Sequence, residues 1–238
     1  MTASWCVLGP GHGCGKTFVI LGLHRWLSGA GHRVGLYKPV DVGALQARAE
    51  ERQTDVERYQ NLGLTEHVSL LNPYLLEERR PPELAARRDG VRIRKTLLTE
   101  RWKMLEAEHA GLLVEGPSGL RLPLQRQETF LDLLQEQRPQ VLWVSSVGEL
   151  ELELSLLQLK LLLELGLQVR VLLNNRDDSR DGWMLQYQWL TLEEQLGVTV
   201  HGLLPFLKSG SEDPDAISGL LQEHLEEPLK EEFVSWLT

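Results

Sequence analysis

The chain is poor in cysteine, with Cys6 and Cys14 the only two among 238 residues. Two thiols cannot make a disulfide framework or a cysteine-rich zinc site. No apolar run reaches the length of about 18 residues that marks a membrane-crossing helix, so no membrane partner is expected. Met1 to Gly9 carries no basic stretch and too short an apolar run for a secretory leader, and a cytoplasmic protein is the expectation. Basic charge is also short: 25 Lys and Arg face 34 Asp and Glu, a formal charge of −9. That balance disfavours a general nucleic-acid binder, whose affinity comes from neutralising phosphates. The histidines show no His-Glu-x-x-His spacing, which removes a zinc-hydrolase helix. Ser118 sits in Gly-Pro-Ser-Gly rather than Gly-x-Ser-x-Gly, which argues against a serine-hydrolase elbow. A hydrophobic share of 42% is enough for one sizeable core, and one domain over residues 1–238 is expected.

What is present is an alternation of short apolar runs and longer amphipathic stretches. The runs are Trp5–Leu8, Val34–Tyr37, Gly111–Glu115, Val141–Val147, Gln168–Leu173 and Val198–Leu204. They are apolar on both sides, as buried parallel strands are. The intervals between them are long enough for crossover helices. The pattern predicts an α/β fold with a doubly wound, mostly parallel sheet and helices on both faces. Thr17–Ser28 reads as a helix closed by Gly29 and Gly31. Ala44–Gly63 reads as one polar helical stretch. Leu150–Leu165 carries two leucine stripes, one more than a helix needs against a sheet. The surplus predicts a second buried face, at a dimer interface or in a deep core. The glutamates after Ala216 and the basic group Arg79, Arg80, Arg87, Arg88, Arg92, Arg94 and Lys95 read as solvated helix faces.

The most informative segment is Gly9-Pro10-Gly11-His12-Gly13-Cys14-Gly15-Lys16-Thr17. It follows a predicted strand and opens a predicted helix, the context of a phosphate-binding loop. Backbone N–H groups of Gly11, His12, Gly13, Cys14 and Gly15 would converge on phosphates, aided by the helix N-terminus. Lys16 would supply a point charge to the β- and γ-phosphates, and the Thr17 hydroxyl would ligate Mg²⁺. Five residues separate Gly9 from Gly15, one more than the strict pattern allows, so the loop is a longer variant. Asp55 and Glu115 are candidates to complete the metal shell, Glu115 because it ends a strand at the ligand-binding rim. Lys38 ends the second strand and offers another cation there. His12 faces either the γ-phosphate or solvent; the residues alone do not decide.

In order, the chain carries this loop, Tyr37-Lys38-Pro39-Val40, Asp55, Asn72-Pro73-Tyr74, Pro82-Glu83-Leu84-Ala85-Ala86 and Val114-Glu115-Gly116-Pro117-Ser118-Gly119. Asn174 and Gly202-Leu203-Leu204-Pro205 come later. Over residues 4–207 this resembles the dethiobiotin synthetase family. The resemblance implies a P-loop NTPase-like homodimer using ATP and Mg²⁺, with CO₂ and 7,8-diaminopelargonic acid as substrates. The amine would capture CO₂ as a carbamate, the carbamate would take the γ-phosphoryl group, and the second amine would close a cyclic urea. It implies Lys16 and Lys38 as catalytic residues, with Lys38 on the carbamate and transferring phosphoryl group. Thr17, Asp55 and Glu115 would hold the metal, and Asn174 or Asn175 the adenine. His12, Lys38, Pro117, Ser118 and Gly119 would line the substrate site.

Three departures stand against that pattern. Pro10, Gly11 and His12 replace Thr, Asp and Thr in the loop. Pro117-Ser118-Gly119 replaces Ala-Gly-Gly, and Pro117 removes an N–H that could bind an anion. Gly148-Glu149-Leu150-Glu151-Leu152-Glu153 stands where the family places a small polar substrate loop. Two other readings therefore stay open. One is a related P-loop ligase with another substrate; the other is a nucleotide-binding regulatory module without carboxylation.

Overall fold

The computed structural model describes residues 4–50, 52–62, 71–178, 182–207 and 213–237. Ten strands are described: β1 (Ser4–Leu8), β2 (Val34–Tyr37), β3 (Val40–Val42), β4 (Tyr74–Leu76), β5 (Gly111–Glu115), β6 (Pro123–Gln125), β7 (Glu128–Thr129), β8 (Gln140–Ser146), β9 (Val169–Asn174) and β10 (Val200–Leu204). Six of them form one parallel sheet in the order β10-β9-β8-β1-β5-β2. All six apolar runs of the sequence are these strands. β1 lies between β5 and β8, where the winding reverses, so the loop leaving β1 opens at the sheet's switch point, the usual ligand crevice of such sheets.

Side chains alternate across each strand and divide the core in two. Cys6, Leu8, Val114, Val141 and Trp143 point to one layer, with Trp102, Phe130, Leu159 and Leu192 from the covering helices. Trp5, Val7, Leu113, Leu142 and Val144 point to the other, with Leu23, Ile217 and Phe233. The expected helix Thr17–Ser28 is found as Lys16–Gly29. It packs on Pro214–His224 closely enough that a Cβ on Gly22 would lie 2.5 Å from Ile217. Trp5 stacks on Phe233 of the last helix, Glu227–Trp236, with ring centroids 4.6 Å apart. On the opposite layer the Trp143 indole N–H donates to Ser155 Oγ at 3.1 Å, which accounts for a serine within a leucine-rich helix.

One expectation is corrected and another narrowed. Ala44–Gly63 is not one helix: Ala44–Ala49 and Asp55–Gln60 are separate, and Gly63 lies outside the described residues. The second helix starts afresh at Thr54, whose hydroxyl accepts from Glu57 N–H while Glu57 accepts from Thr54 N–H. This reciprocal cap sets a new helix start that apolar spacing does not reveal. Of the two alternatives for the second leucine face of Glu149–Glu164, the deep core is not found: that face is open within the chain. Leu152, Leu159 and Leu162 are buried, whereas Leu150 and Leu157 are 65% and 61% exposed. The basic group is solvated as expected, with Arg80 and Arg88 on Glu78 and Arg87 on Glu83.

Candidate active site

The site begins at the end of β1. Gly9 packs against the Val144 carbonyl and Cys14, where no side chain fits. Gly15 adopts φ 108° and leaves no room for a Cβ against the Asn174 amide, so a left-handed glycine is needed there. Asn174, at the end of β9, donates from Nδ2 to the Cys14 carbonyl at 3.0 Å and ties the loop to the sheet. Lys16 Nζ folds onto the loop, donating to the Gly11 carbonyl at 2.9 Å. The Cys14 thiol, buried, donates to the same carbonyl at 3.3 Å. His12 lies at the loop surface; burial and the cations Lys16, Arg79 and Lys38 hold its imidazole below the ordinary value. A neutral ring at pH 7 follows.

The second half of the site is a buried charge cluster. Register places Glu115 of β5 beside Val7 of β1, directly under the loop. The Thr17 hydroxyl donates to Glu115 Oε1 at 2.9 Å, and Lys38 Nζ reaches the same oxygen at 3.0 Å. Lys38 also pairs with Asp55 and with Asp41, the latter at 3.4 Å. The Tyr59 hydroxyl donates to Glu115 Oε2. Burial pulls the Lys38 ammonium down, but Asp41, Asp55 and Glu115 outweigh it and hold its value well above normal. Burial raises the Asp41 carboxyl to about 6 against the pull of Lys38. Asp55 is pushed up by burial, yet Lys38 more than compensates and keeps it below the usual range. Lys38 itself is fixed through its backbone, its N–H on the Leu71 carbonyl at 2.8 Å and its carbonyl on Asn72 Nδ2 at 2.6 Å.

Three acids thus share one ammonium, leaving an excess of negative charge that a divalent cation would neutralise. Among the described residues no three His, Cys, Asp or Glu side chains are gathered as a metal cage. Mg²⁺ does not need one, being held by one or two carboxylates with phosphates and water. The hard oxygens of Thr17, Asp55 and Glu115 suit that role, with Lys38 as the cation now between the acids.

An AAA-domain family model, AAA_26, matches residues 4–213. The chain belongs to the AAA_26 family. Curated relatives include ATP-dependent dethiobiotin synthetases. That of Yersinia pestis bv. Antiqua is 27% identical over 215 residues, covering 90% of this chain and 89% of the relative. That of Bacillus licheniformis is 26% identical over 221 residues, 92% of each. That of Halalkalibacterium halodurans is 32% identical over 145 residues, 60% of each. At these identities the chain is distantly similar to the dethiobiotin synthetases. Among solved structures, the septum site-determining protein MinD of Pyrococcus horikoshii, complexed with Mg-ADP, aligns with TM-score 0.55 and 18% identity, covering 100% of this chain and 95% of that one. MinD of Pyrococcus furiosus aligns with TM-score 0.52 and 16% identity, over 100% and 97%. These two show the fold: a P-loop NTPase-like α/β sheet.

Within this AAA_26 fold, Thr17, Lys38, Asp55 and Glu115 come together as one cluster, while the Lys16 ammonium folds back on the Gly11 carbonyl of the adjoining loop. Pro117, Ser118 and Gly119 follow β5 at the same rim and are half-buried. Asn174 is committed to the loop backbone, while the Asn175 side-chain oxygen accepts from the N–H of Asp177 at 3.2 Å. Glu149 and Glu153 are exposed and Glu151 half-buried in the first turns of their helix, where acids favour the helix dipole. Sequence reasoning missed Asp41 and Tyr59, and named Asn72 only within the Asn72-Pro73-Tyr74 segment, without its hydrogen bond to the Lys38 carbonyl. Tyr59 lies one turn after Asp55, so the helix spacing places both on one face; Asp41 follows Lys38 by three residues. Arg176 was also missed; its guanidinium lies 3.0 Å from where a Cβ on Gly13 would stand.

Proposed function

We propose that this chain is an ATP-dependent P-loop ligase of the dethiobiotin synthetase type, a cytoplasmic enzyme that closes a cyclic urea on a vicinal diamine. The observation that carries the reading is the convergence of Thr17, Lys38, Asp55 and Glu115 at the carboxyl end of β1, β2 and β5, next to the glycine loop that carries Lys16. The amino acids quoted for the family resemblance occupy these positions, and the curated relatives bear that activity in their names.

In this reading the loop N–H groups and Lys16 bind the triphosphate of ATP, and Thr17, Asp55 and Glu115 hold Mg²⁺. The metal supplies charge neutralisation to the phosphates when bound. Lys38, no longer shared by Asp55 and Glu115, faces the transferring group. A substrate amine attacks CO₂, forming a C–N bond and losing a proton, to give a carbamate. The carbamate oxygen takes the γ-phosphoryl group, with ADP leaving, as a carbamic–phosphoric anhydride. The second amine attacks the carbonyl carbon and expels phosphate, closing the urea. Positioning and charge neutralisation dominate phosphoryl transfer, and this cluster provides both. Asn175, with its side chain less committed than that of Asn174, is the better candidate for the adenine.

The test is phosphate release from ATP with diaminopelargonic acid and bicarbonate, each omitted in turn. Release that requires both supports the reading, and nucleotide binding with no substrate-dependent release rejects it in favour of a regulatory module. Release that requires a different amine or carboxylate identifies another ligase. Lys16→Ala should abolish turnover in any ligase reading, and a variant as active as the parent removes the loop from the chemistry.

The partner of this reading is a second copy of the chain. Leu150 and Leu157 on Glu149–Glu164, and Trp183 (80% exposed), Tyr187 and Leu190 on the helix Gly182–Leu196 packed beside it, offer large apolar side chains to solvent. Such exposure on neighbouring helices is the mark of an association surface.

A further inference from the structure

We propose that Tyr59 is a positioning residue that fixes Glu115 to present a single oxygen, Oε1, to a divalent cation. The inference rests on the nucleotide–metal reading of the cluster and extends it to a residue for which that reading has no role.

The geometry divides the two oxygens of Glu115 by task. Oε1 faces the loop, where the Thr17 hydroxyl reaches it at 2.9 Å and Lys38 Nζ at 3.0 Å. Oε2 faces away and takes the Tyr59 hydroxyl. Tyr59 is fully buried, with its ring packed in the core layer of Ile20, Leu36 and Leu113. A phenol buried among apolar side chains keeps its hydroxyl on a partner, because leaving it unmade is costly. Glu115 is itself 2% exposed on a strand, so its carboxylate has little freedom beyond rotation about its own axis. The Tyr59 bond removes that rotation. A carboxylate held at one oxygen offers the other as a single, directed ligand, the arrangement a small octahedral cation demands. Partners that orient ligands in this way commonly govern metal affinity by about 10–100-fold.

The same short helix, Asp55–Gln60, supplies Asp55 to the cluster. Asp55 and Tyr59 are four residues apart and share a helix face. One rigid turn therefore carries a candidate ligand and the residue that aims the other candidate ligand. The metal-facing geometry is set by the placement of that turn against β5.

The experiment is direct Mn²⁺ binding to the ADP-saturated protein by electron paramagnetic resonance, with ADP affinity in EDTA measured alongside. Tyr59→Phe deletes one oxygen and keeps the ring; it should weaken Mn²⁺ by about tenfold and leave metal-free ADP affinity unchanged. Glu115→Gln reports on the underlying reading. Val56→Ala loosens the same helix at a buried neighbour without touching the hydroxyl, and should leave Mn²⁺ affinity within about twofold of the parent. Parental Mn²⁺ affinity in Tyr59→Phe with a loss in Glu115→Gln overturns the role of Tyr59 alone. Parental affinity in both variants overturns the metal reading and the proposal with it. An equal loss in Val56→Ala assigns the effect to helix packing and also overturns the proposal.

Discussion

Asn174 and Cys14, 160 residues apart, are joined by a side-chain hydrogen bond of 3.0 Å from the Asn174 amide to the Cys14 carbonyl. The bond fastens the crown of the glycine loop to the tip of β9. Its neighbour Asn175 donates its backbone N–H to the Leu204 carbonyl at 2.9 Å and keeps its side chain near the surface. Two adjacent asparagines thus have different work, and substitution separates them. Asn174→Ala should weaken binding of ATP, GTP and inorganic triphosphate alike, because it frees the loop. Asn175→Ala should weaken ATP and leave triphosphate unchanged. Isothermal titration with the three ligands checks both; a base-selective loss in Asn174→Ala would reverse the assignment.

Asp41 gives the pH dependence a definite sign. Its folded value of about 6 lies above the ordinary 3.8, so the folded protein holds that proton more tightly than the unfolded chain. The group then costs stability as pH rises from 3.8 towards 6, and the full cost stands above that window. Asp55 acts oppositely: its value is depressed, so its contribution is present above the ordinary carboxylate range and is lost as pH falls through its folded value. Asp41→Asn should therefore flatten the decline of stability between pH 4 and 6 and leave the loss at lower pH in place. Urea unfolding of both proteins from pH 3 to 8 measures it, and parallel curves would remove Asp41 as the cause.

Phe233 is fully buried between Trp5 and Trp26, with centroids at 4.6 and 6.2 Å. Phe233→Ala should lower unfolding stability by about 3–5 kcal/mol, the usual effect of deleting a buried aromatic side chain. Denaturant titration gives the value. A loss below about 1 kcal/mol would mean that the last helix adds little to the sheet, since the expected range is several-fold larger.

Leu157 tests the proposed association. Leu157→Glu leaves the core-facing Leu152, Leu159 and Leu162 untouched, so the monomer should keep its fold. Sedimentation should show a dimer for the parent chain and a monomer for the variant. A dimer of equal strength in the variant would place the interface elsewhere.

The six sheet strands were legible because buried parallel strands are short apolar runs and each is bounded by turn residues. The glycine loop was legible for a different reason: Gly15 and Lys16 are local signals on consecutive residues. β3 and β4 were not, being three residues long and paired only with each other. The break at Thr54 was hidden because a cap depends on two side chains and not on apolar spacing. Tyr59 was hidden because its role exists only through Glu115, 56 residues away, and nothing in a tyrosine on a polar helix announces a carboxylate on a distant strand. The leucine stripe Leu150–Leu157 was half legible: the surplus of leucine could be counted, but which stripe faced outward depended on where Trp143 and Ser155 met.

The family match ends at residue 213, yet Pro214–His224 and Glu227–Trp236 cover Trp5 and Val7 with Ile217, Leu221, Leu229 and Phe233. A protein shortened to the matched segment would retain every residue of the nucleotide cluster and still bare part of one flank of its central sheet, leaving Lys16–Gly29 to cover it with Val19, Ile20, Leu23 and Leu27. Such a truncation should come out of cells as aggregate, and its silence in an assay would report a lost roof over β1, with no bearing on the chemistry at the other end of the strand.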